Sequence, residues 1–221
     1  MNPQRVSGRL PGGLLGAALL AAAPLWNLSL AAESAAATSC PDVQVVFARG
    51  TNEPPGVGIV GQAFADALSA QVGGRSVEVS AVNYPASDNY LSSAANGSDD
   101  ARAQIQDIIA SCPSTKLVLG GYSQGAAVTD MATAAMPPQT ADRVAAVALF
   151  GTPSSAFSSM LAGGEPLPTT SPAYAAKTID LCMDGDPICS PGANMLAHVS
   201  YVLSGMTNQA ASFAAAKIDQ H

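Results

Sequence analysis

The sequence predicts a three-layer α/β sandwich around a parallel sheet of about five strands. Short apolar runs alternate along the chain with longer stretches of helical spacing, the pattern of a sheet covered on both faces. One run, Leu117-Val118-Leu119, leads into Gly121-Tyr122-Ser123-Gln124-Gly125 and then a helix-compatible stretch from Ala126 to Ala135. A continuous apolar run suits a strand buried on both faces. Strand, sharp turn and helix around G-x-S-x-G is the context of a nucleophile elbow.

Taken in order, Val43–Ala48 reads as the first strand, ending at Arg49-Gly50-Thr51. A helix is expected over Ile59–Val72, with Ile59, Ala63, Ala67 and Phe64 or Leu68 on one face. Val77–Val82 is the second strand, and a polar loop is expected from Asn83 to Gly97, punctuated by Pro85 and Gly97. Asp99 or Asp100 starts the next helix, with Ala101, Ile105, Ile108, Ile109 and Cys112 at helical spacing until Pro113. The elbow follows, closed by Pro137-Pro138. Val144–Phe150 is the fourth strand, Thr152–Pro172 the least regular segment and Thr178–Leu181 the last strand. Thr207 is expected to cap a closing helix through Ile218. Asn96-Gly97-Ser98 matches a glycosylation sequon and carries little weight by itself.

With 221 residues, 48% of them hydrophobic and 11% charged, the chain can bury one substantial core. Arg5 and Arg9 precede an apolar centre, Leu14–Leu25, and no charge follows until Glu33. This reads as a signal peptide over residues 1–32, with small residues offering cleavage after Ala31, Ala32 or Ala37. Residues 33–221 are then one secreted domain. A membrane anchor is the competing reading, weakened by Gly12, Gly13, Pro24 and Asn27. The formal net charge is −7, and without residues 1–32 and their two arginines it becomes −9. No basic cluster serves nucleic acid or an anionic membrane. A monomer without membrane insertion is expected.

Four cysteines, all beyond residue 32, fit disulfides in an oxidising compartment. Sequence alone allows three pairings. Cys40–Cys112 and Cys182–Cys189 are preferred: the second closes a small loop, and the first ties the start of the mature chain to a helix end. C-x6-C is not a zinc spacing, so no metal or cofactor is expected.

A serine nucleophile needs a base at hydrogen-bonding distance and an acid that orients the base. The chain has two histidines, His198 and the terminal His221, which leaves His198 by elimination. In the order Ser…Asp…His, Asp180, Asp184 and Asp186 all qualify as the acid.

The chain resembles the cutinase family, small secreted serine esterases with a lidless α/β-hydrolase fold, over about residues 40–218. The resemblance rests on Ala48-Arg49-Gly50-Thr51, on Gly120-Gly121-Tyr122-Ser123-Gln124-Gly125-Ala126, and on Cys182…Gly185-Asp186…Cys189 with His198 downstream. It implies Asp186 as the acid, since that residue follows the loop glycine, and disulfides on the two pairs preferred above. It also implies an oxyanion hole from Gln124 and Thr51. Fungal members have serine at the latter position, and threonine keeps the hydroxyl on a stiffer side chain. The implied function is a secreted carboxylic ester hydrolase acting on short- to medium-chain acyl esters, its partner an ester substrate with lipid or polymer among the options. A polysaccharide acetyl esterase, or a non-catalytic secreted binding protein on the same scaffold, are the alternatives.

Overall fold

The computed structural model describes residues 40–166 and 168–221; the leader expected over residues 1–32 lies outside them. In chain order the elements are β1 (Val43–Ala48), α1 (Gly58–Gln71), β2 (Val77–Ala81), α2 (Tyr90–Ser111), β3 (Lys116–Tyr122), α3 (Gln124–Ala135), β4 (Val144–Phe150), α4 (Ala156–Leu161), β5 (Thr178–Leu181), α5 (Met195–His198) and α6 (Met206–Gln220). The strands form one five-stranded sheet in the order β2-β1-β3-β4-β5, and every pairing is parallel.

Alternation along β1 sorts the two faces. Val43, Val45 and Phe47 enter one apolar cluster with Val60, Phe64 and Leu68 of α1 and the alanine stripe of α6. Val46 and Ala48 enter the other with Ala94, Ala101 and Ile105 of α2 and Ala126, Val128 and Ala132 of α3. Two separate cores, one per sheet face, make the three layers. The chain runs outward from β1 to β2, crosses back to β3 and continues outward the other way. The strand order therefore reverses between β1 and β3, and the crevice beyond their carboxyl ends is where open α/β sheets bind ligands.

Several local expectations shift. The buried stripe of α1 is Val60, Phe64 and Leu68, whereas Ile59 is 75% exposed. Phe64 decides that rotation, because its ring packs against Phe47 and Phe150 at 6.1 and 5.9 Å between centroids. The helix expected from Asp99 starts at Tyr90, because its early buried stripe is Ser93, Ala94, Gly97 and Ser98, small residues that give little hydrophobic signal. Gly97 is thus not loop punctuation. A Cβ there would lie 2.7 Å from a Val128 methyl, so the glycine lets α2 lie against α3. The sequon falls within this helix, with Gly97 and Ser98 buried. The residue before α6 is Gly205 at φ 79°, and Thr207 lies buried in the first turn instead of capping it. The irregular segment after β4 holds the short helix α4, capped by the Ser155 hydroxyl, which accepts from Ser158 N–H.

Candidate active site

The carboxyl ends of β1, β3 and β5 bring the expected residues to one edge of the sheet. Ser123 follows β3 directly and takes φ 56° and ψ −119°. This turn needs bare backbone on either side. A Cβ on Gly121 would strike the Gly125 carbonyl, and one on Gly125 would strike the Ala48 carbonyl of β1. The serine is thereby raised at the N-terminus of α3, next to the end of β1.

His198 closes the four-residue α5, whose start is capped by Asn194 Oδ1 accepting from Leu196 N–H at 3.1 Å. Asn194 N–H donates in turn to Gly185 O at 3.1 Å, tying α5 to the loop between Cys182 and Cys189. Both disulfides join the preferred pairs, Cys40–Cys112 and Cys182–Cys189. His198 Nε2 lies 2.9 Å from Ser123 Oγ, and Nδ1 lies 2.8 Å from Asp186 Oδ2.

Asp186 is fully buried. Burial acts to raise its carboxyl, but hydrogen bonds from His198, Tyr201 and Ile188 N–H outweigh it and hold the group below the ordinary carboxylate range. An ionised carboxylate only accepts, so Nδ1 of His198 must carry the proton, and Nε2 turns its lone pair to the serine hydroxyl. Asp184 is exposed, and Asp180 accepts from the Thr152 hydroxyl at 2.7 Å. His221 lies among Lys177, Lys116 and Arg143, at the opposite edge of the sheet.

Thr51 is held by a network that sequence reasoning did not anticipate. Arg49, 5% exposed, donates Nε to Glu53 O at 2.8 Å and Nη2 to Tyr84 O at 2.9 Å, and its guanidinium covers the Tyr84 ring. Glu53 accepts from Gly50 N–H at 2.6 Å and from Ile59 N–H at 2.9 Å. Asn52, at φ 62°, donates its N–H to Ala86 O. Among the described residues, no protein acceptor takes the N–H of Thr51 or Gln124. The Gln124 side chain is fully buried, accepting from Ser93 Oγ at 3.1 Å and donating to Ser87 O at 3.0 Å. The bond from Ser93 pins the start of α3 to α2.

Two tyrosines hold the imidazole. Tyr122, the first x of the elbow, stacks on His198 at 5.0 Å and donates its hydroxyl to His198 O at 2.6 Å. Tyr201 meets the same ring edge-on and donates to Asp186 Oδ2 at 2.6 Å. Their only signal in the sequence was nearness to Ser123 and His198.

Above these groups opens a cavity of about 830 Å³ lined by Thr51, Ser123 and His198 and walled by Ile59, Leu161, Ile188, Val199, Val202 and Leu203. Glu53 and Asp88 are the carboxylates on its lining, which holds no lysine or arginine. Among the described residues, no three His, Cys, Asp or Glu side chains come together as a metal site, and no helix is long and apolar enough to cross a membrane.

The sequence model of the family described as Cutinase matches residues 39–218. The chain belongs to the cutinase family. It is 64% identical to the carboxylesterase Culp1 of Mycobacterium tuberculosis over 186 residues, 84% of this chain and 86% of that protein. It is 46% identical to the phospholipase Culp4 of the same species over 234 aligned positions, 98% of this chain and 99% of that one. Among solved structures it is similar to a Trichoderma reesei cutinase bound to a phosphonate inhibitor, with TM-score 0.67 and 38% identity over 81% of this chain and 77% of the other. An acetylxylan esterase matches with TM-score 0.69 at 25% identity, over 81% of this chain and 100% of the other. The α/β fold is that of these neighbours, and this cutinase-family chain is a carboxylic ester hydrolase. The reading as a non-catalytic scaffold falls with that finding.

Proposed function

We propose that this ester hydrolase is secreted, that its mature domain follows a leader over residues 1–32, and that it cleaves short- to medium-chain acyl esters through Ser123, His198 and Asp186. The observation that carries the reading is the hydrogen-bond chain of 2.9 and 2.8 Å from Ser123 Oγ through His198 to a buried, ionised Asp186, at the floor of an apolar cavity. His198 Nε2 takes the hydroxyl proton as Ser123 Oγ attacks the ester carbonyl. Asp186 holds the tautomer and stabilises the imidazolium. The N–H groups of Thr51 and Gln124 receive the oxyanion, each worth about 3–4 kcal/mol of barrier lowering. His198 returns the proton to the leaving alcohol, and a water activated by the same nitrogen releases the acid.

The surface around the cavity supports an apolar, aggregated substrate such as a lipid or a polymer. Among the described residues the exposed large apolar side chains are Ile59, Phe157, Met160, Leu161, Met195, Leu196, Val199 and Leu203, plus Val79 on the edge strand β2. Five of the first eight line the cavity, and the other three sit beside them on α4 and α5. The likeness to an acetylxylan esterase keeps acetyl groups as a second reading. A series of model esters of rising acyl length, with Ser123→Ala as control, tests both. Turnover should peak beyond acetyl and fall by about three orders of magnitude or more in the folded Ser123→Ala variant. A sharp acetyl optimum would favour the deacetylase. Activity retained in Ser123→Ala would remove Ser123 as the nucleophile.

A further inference from the structure

Asp186 Oδ2 carries two donors, not one. His198 Nδ1 is 2.8 Å away and the Tyr201 hydroxyl 2.6 Å away. Oδ1 accepts from Ile188 N–H at 2.8 Å. Tyr201 is itself fully buried, and its ring packs edge-on against Phe150, Tyr122 and His198. The direction of its proton is fixed by a neighbour. Met183 N–H donates to the Tyr201 oxygen at 3.2 Å, and of the two acceptors left for its hydrogen, the ionised Asp186 Oδ2 at 2.6 Å outcompetes the disulfide sulfur of Cys189 at 3.5 Å. Burial, then the Asp186 bond, push the phenol well above its ordinary range, so it remains a donor at every working pH.

We propose that Tyr201 is a positioning residue for the reaction, holding Asp186 Oδ2 at His198 Nδ1 and lowering the basicity of that oxygen. The proposal rests on the reading of Ser123, His198 and Asp186 above. The bond does two things at once. It fixes a carboxylate that hangs on a short disulfide loop, whose remaining tie to Oδ1 is a single backbone N–H. It also draws charge from Oδ2, so the imidazolium is stabilised less strongly and gives its proton back to the leaving alcohol more readily. Tyr201 does not line the cavity, so substrate binding does not depend on it.

Tyr201→Phe keeps the ring and deletes the hydroxyl, and the test is its rate profile on a soluble short-chain ester. The expected result is a kcat lower by about ten-fold or more with KM unchanged, since small misplacements of reacting groups are costly. The acid limb of kcat/KM should move to higher pH by roughly half a unit, because an Asp186 relieved of one donor favours the protonated His198–Asp186 pair. An unchanged kcat overturns the proposal. So does a lower kcat with an unmoved limb, which would mean that the ring packing alone was disturbed. If the variant folds too poorly to assay, biosynthetic 3-fluorotyrosine, a more acidic donor, is the second test. The limb should then move to lower pH, and an unmoved limb overturns the proposal. Ser123→Ala run in parallel separates a failure of this inference from a failure of the nucleophile assignment.

Discussion

At Ser123 the backbone takes φ 56° and ψ −119°, a conformation that residues with side chains hold only where their surroundings impose it. The imposed strain is coupled to the site, since Ser123 N–H is anchored to Phe150 O of β4 at 2.9 Å. A second residue on the helix that follows is buried against its chemistry. Asp130 of α3 is 1% exposed, accepts from the Thr170 hydroxyl at 2.6 Å, and leaves Oδ2 without a partner among the described residues. Burial pushes its carboxyl up to about 7. A folded-state value raised above the unfolded one contributes stability that is fully present below about pH 4 and is lost as pH rises toward about 7. Asp130→Asn removes the titration. Its melting temperature relative to wild type should therefore improve steadily from about pH 4 to about pH 7, and be the higher of the two above neutrality. A pH-independent difference would mean that Asp130 titrates as an ordinary carboxyl.

Among the elements, the loop from Cys182 to Cys189 has the most work relative to its size. Its turn is closed by Asp186 N–H to Met183 O at 3.0 Å and Ser190 N–H to Asp186 O at 2.9 Å, and α5 hangs from it through Asn194. Closing so short a loop adds about 2–3 kcal/mol in the chain-entropy model, against about 4–5 kcal/mol for the long Cys40–Cys112 loop. The small bridge should matter more to geometry than to stability. A Cys182→Ser, Cys189→Ser double variant is expected to lose turnover out of proportion to its fall in melting temperature. Breaking Cys40–Cys112 should lower the melting temperature while sparing turnover of the folded fraction. Turnover and thermal unfolding of both variants under one set of conditions check this. Unchanged turnover without the small bridge would mean that the loop's own hydrogen bonds suffice to hold Asp186.

On the scale of the molecule, charge and apolar surface lie at opposite edges of the sheet. Arg75 and Arg143 precede β2 and β4, Lys116 opens β3 and Lys177 precedes β5. Several of these cations bind carbonyls there: Arg75 to Val72 O at 3.2 Å, Lys177 to Ala141 O and Val144 O at 2.8 Å, and Arg143 to Pro113 O. Helices antiparallel to the strands end at this edge, so cations there also meet the negative ends of helix dipoles. At the other edge the cavity lining holds Glu53 and Asp88 and no lysine or arginine. An uncharged ester surface suits that mouth, and an anionic one does not. Met160→Ser with Leu196→Ser, exposed side chains beside the cavity and not on its lining, should leave kcat/KM on a dissolved short ester within about two-fold, since scattered surface changes cost little. On an emulsified neutral ester the same pair should lower the rate about ten-fold, because burying two large apolar side chains contributes several kcal/mol at most and part of that is realised at an interface. Equal losses on both substrates would make the rim part of the acyl site and not a docking face.

The strands β1, β4 and β5 were legible to the residue: β4 is the unbroken apolar run of a strand buried on both faces, and β1 and β5, interrupted by Gln44 and Asp180, are short β-compatible runs bounded by turn residues or by the ends of neighbouring elements. The elbow was legible too, since few turns demand glycine on both sides of a serine. Elimination left His198 as the base, and the structure puts it beside Ser123. The acid was not decided that way. Asp180, Asp184 and Asp186 were equivalent as sequence, and the family likeness chose Asp186 before the buried hydrogen bonds from His198, Tyr201 and Ile188 distinguished it physically. The rotation of α1 and the early start of α2 were hidden as well. The first depends on three phenylalanine rings from separate elements, and the second on glycine, serine and alanine packing that carries no hydrophobic period. Local sequence thus determined the strands and the turn that raises the serine, because those rest on backbone sterics and burial along one segment. Tertiary structure alone decided which carboxylate is desolvated, which tyrosines reach the histidine and which apolar side chains stay outside, because each depends on groups far apart in the chain meeting within hydrogen-bond or van der Waals distance.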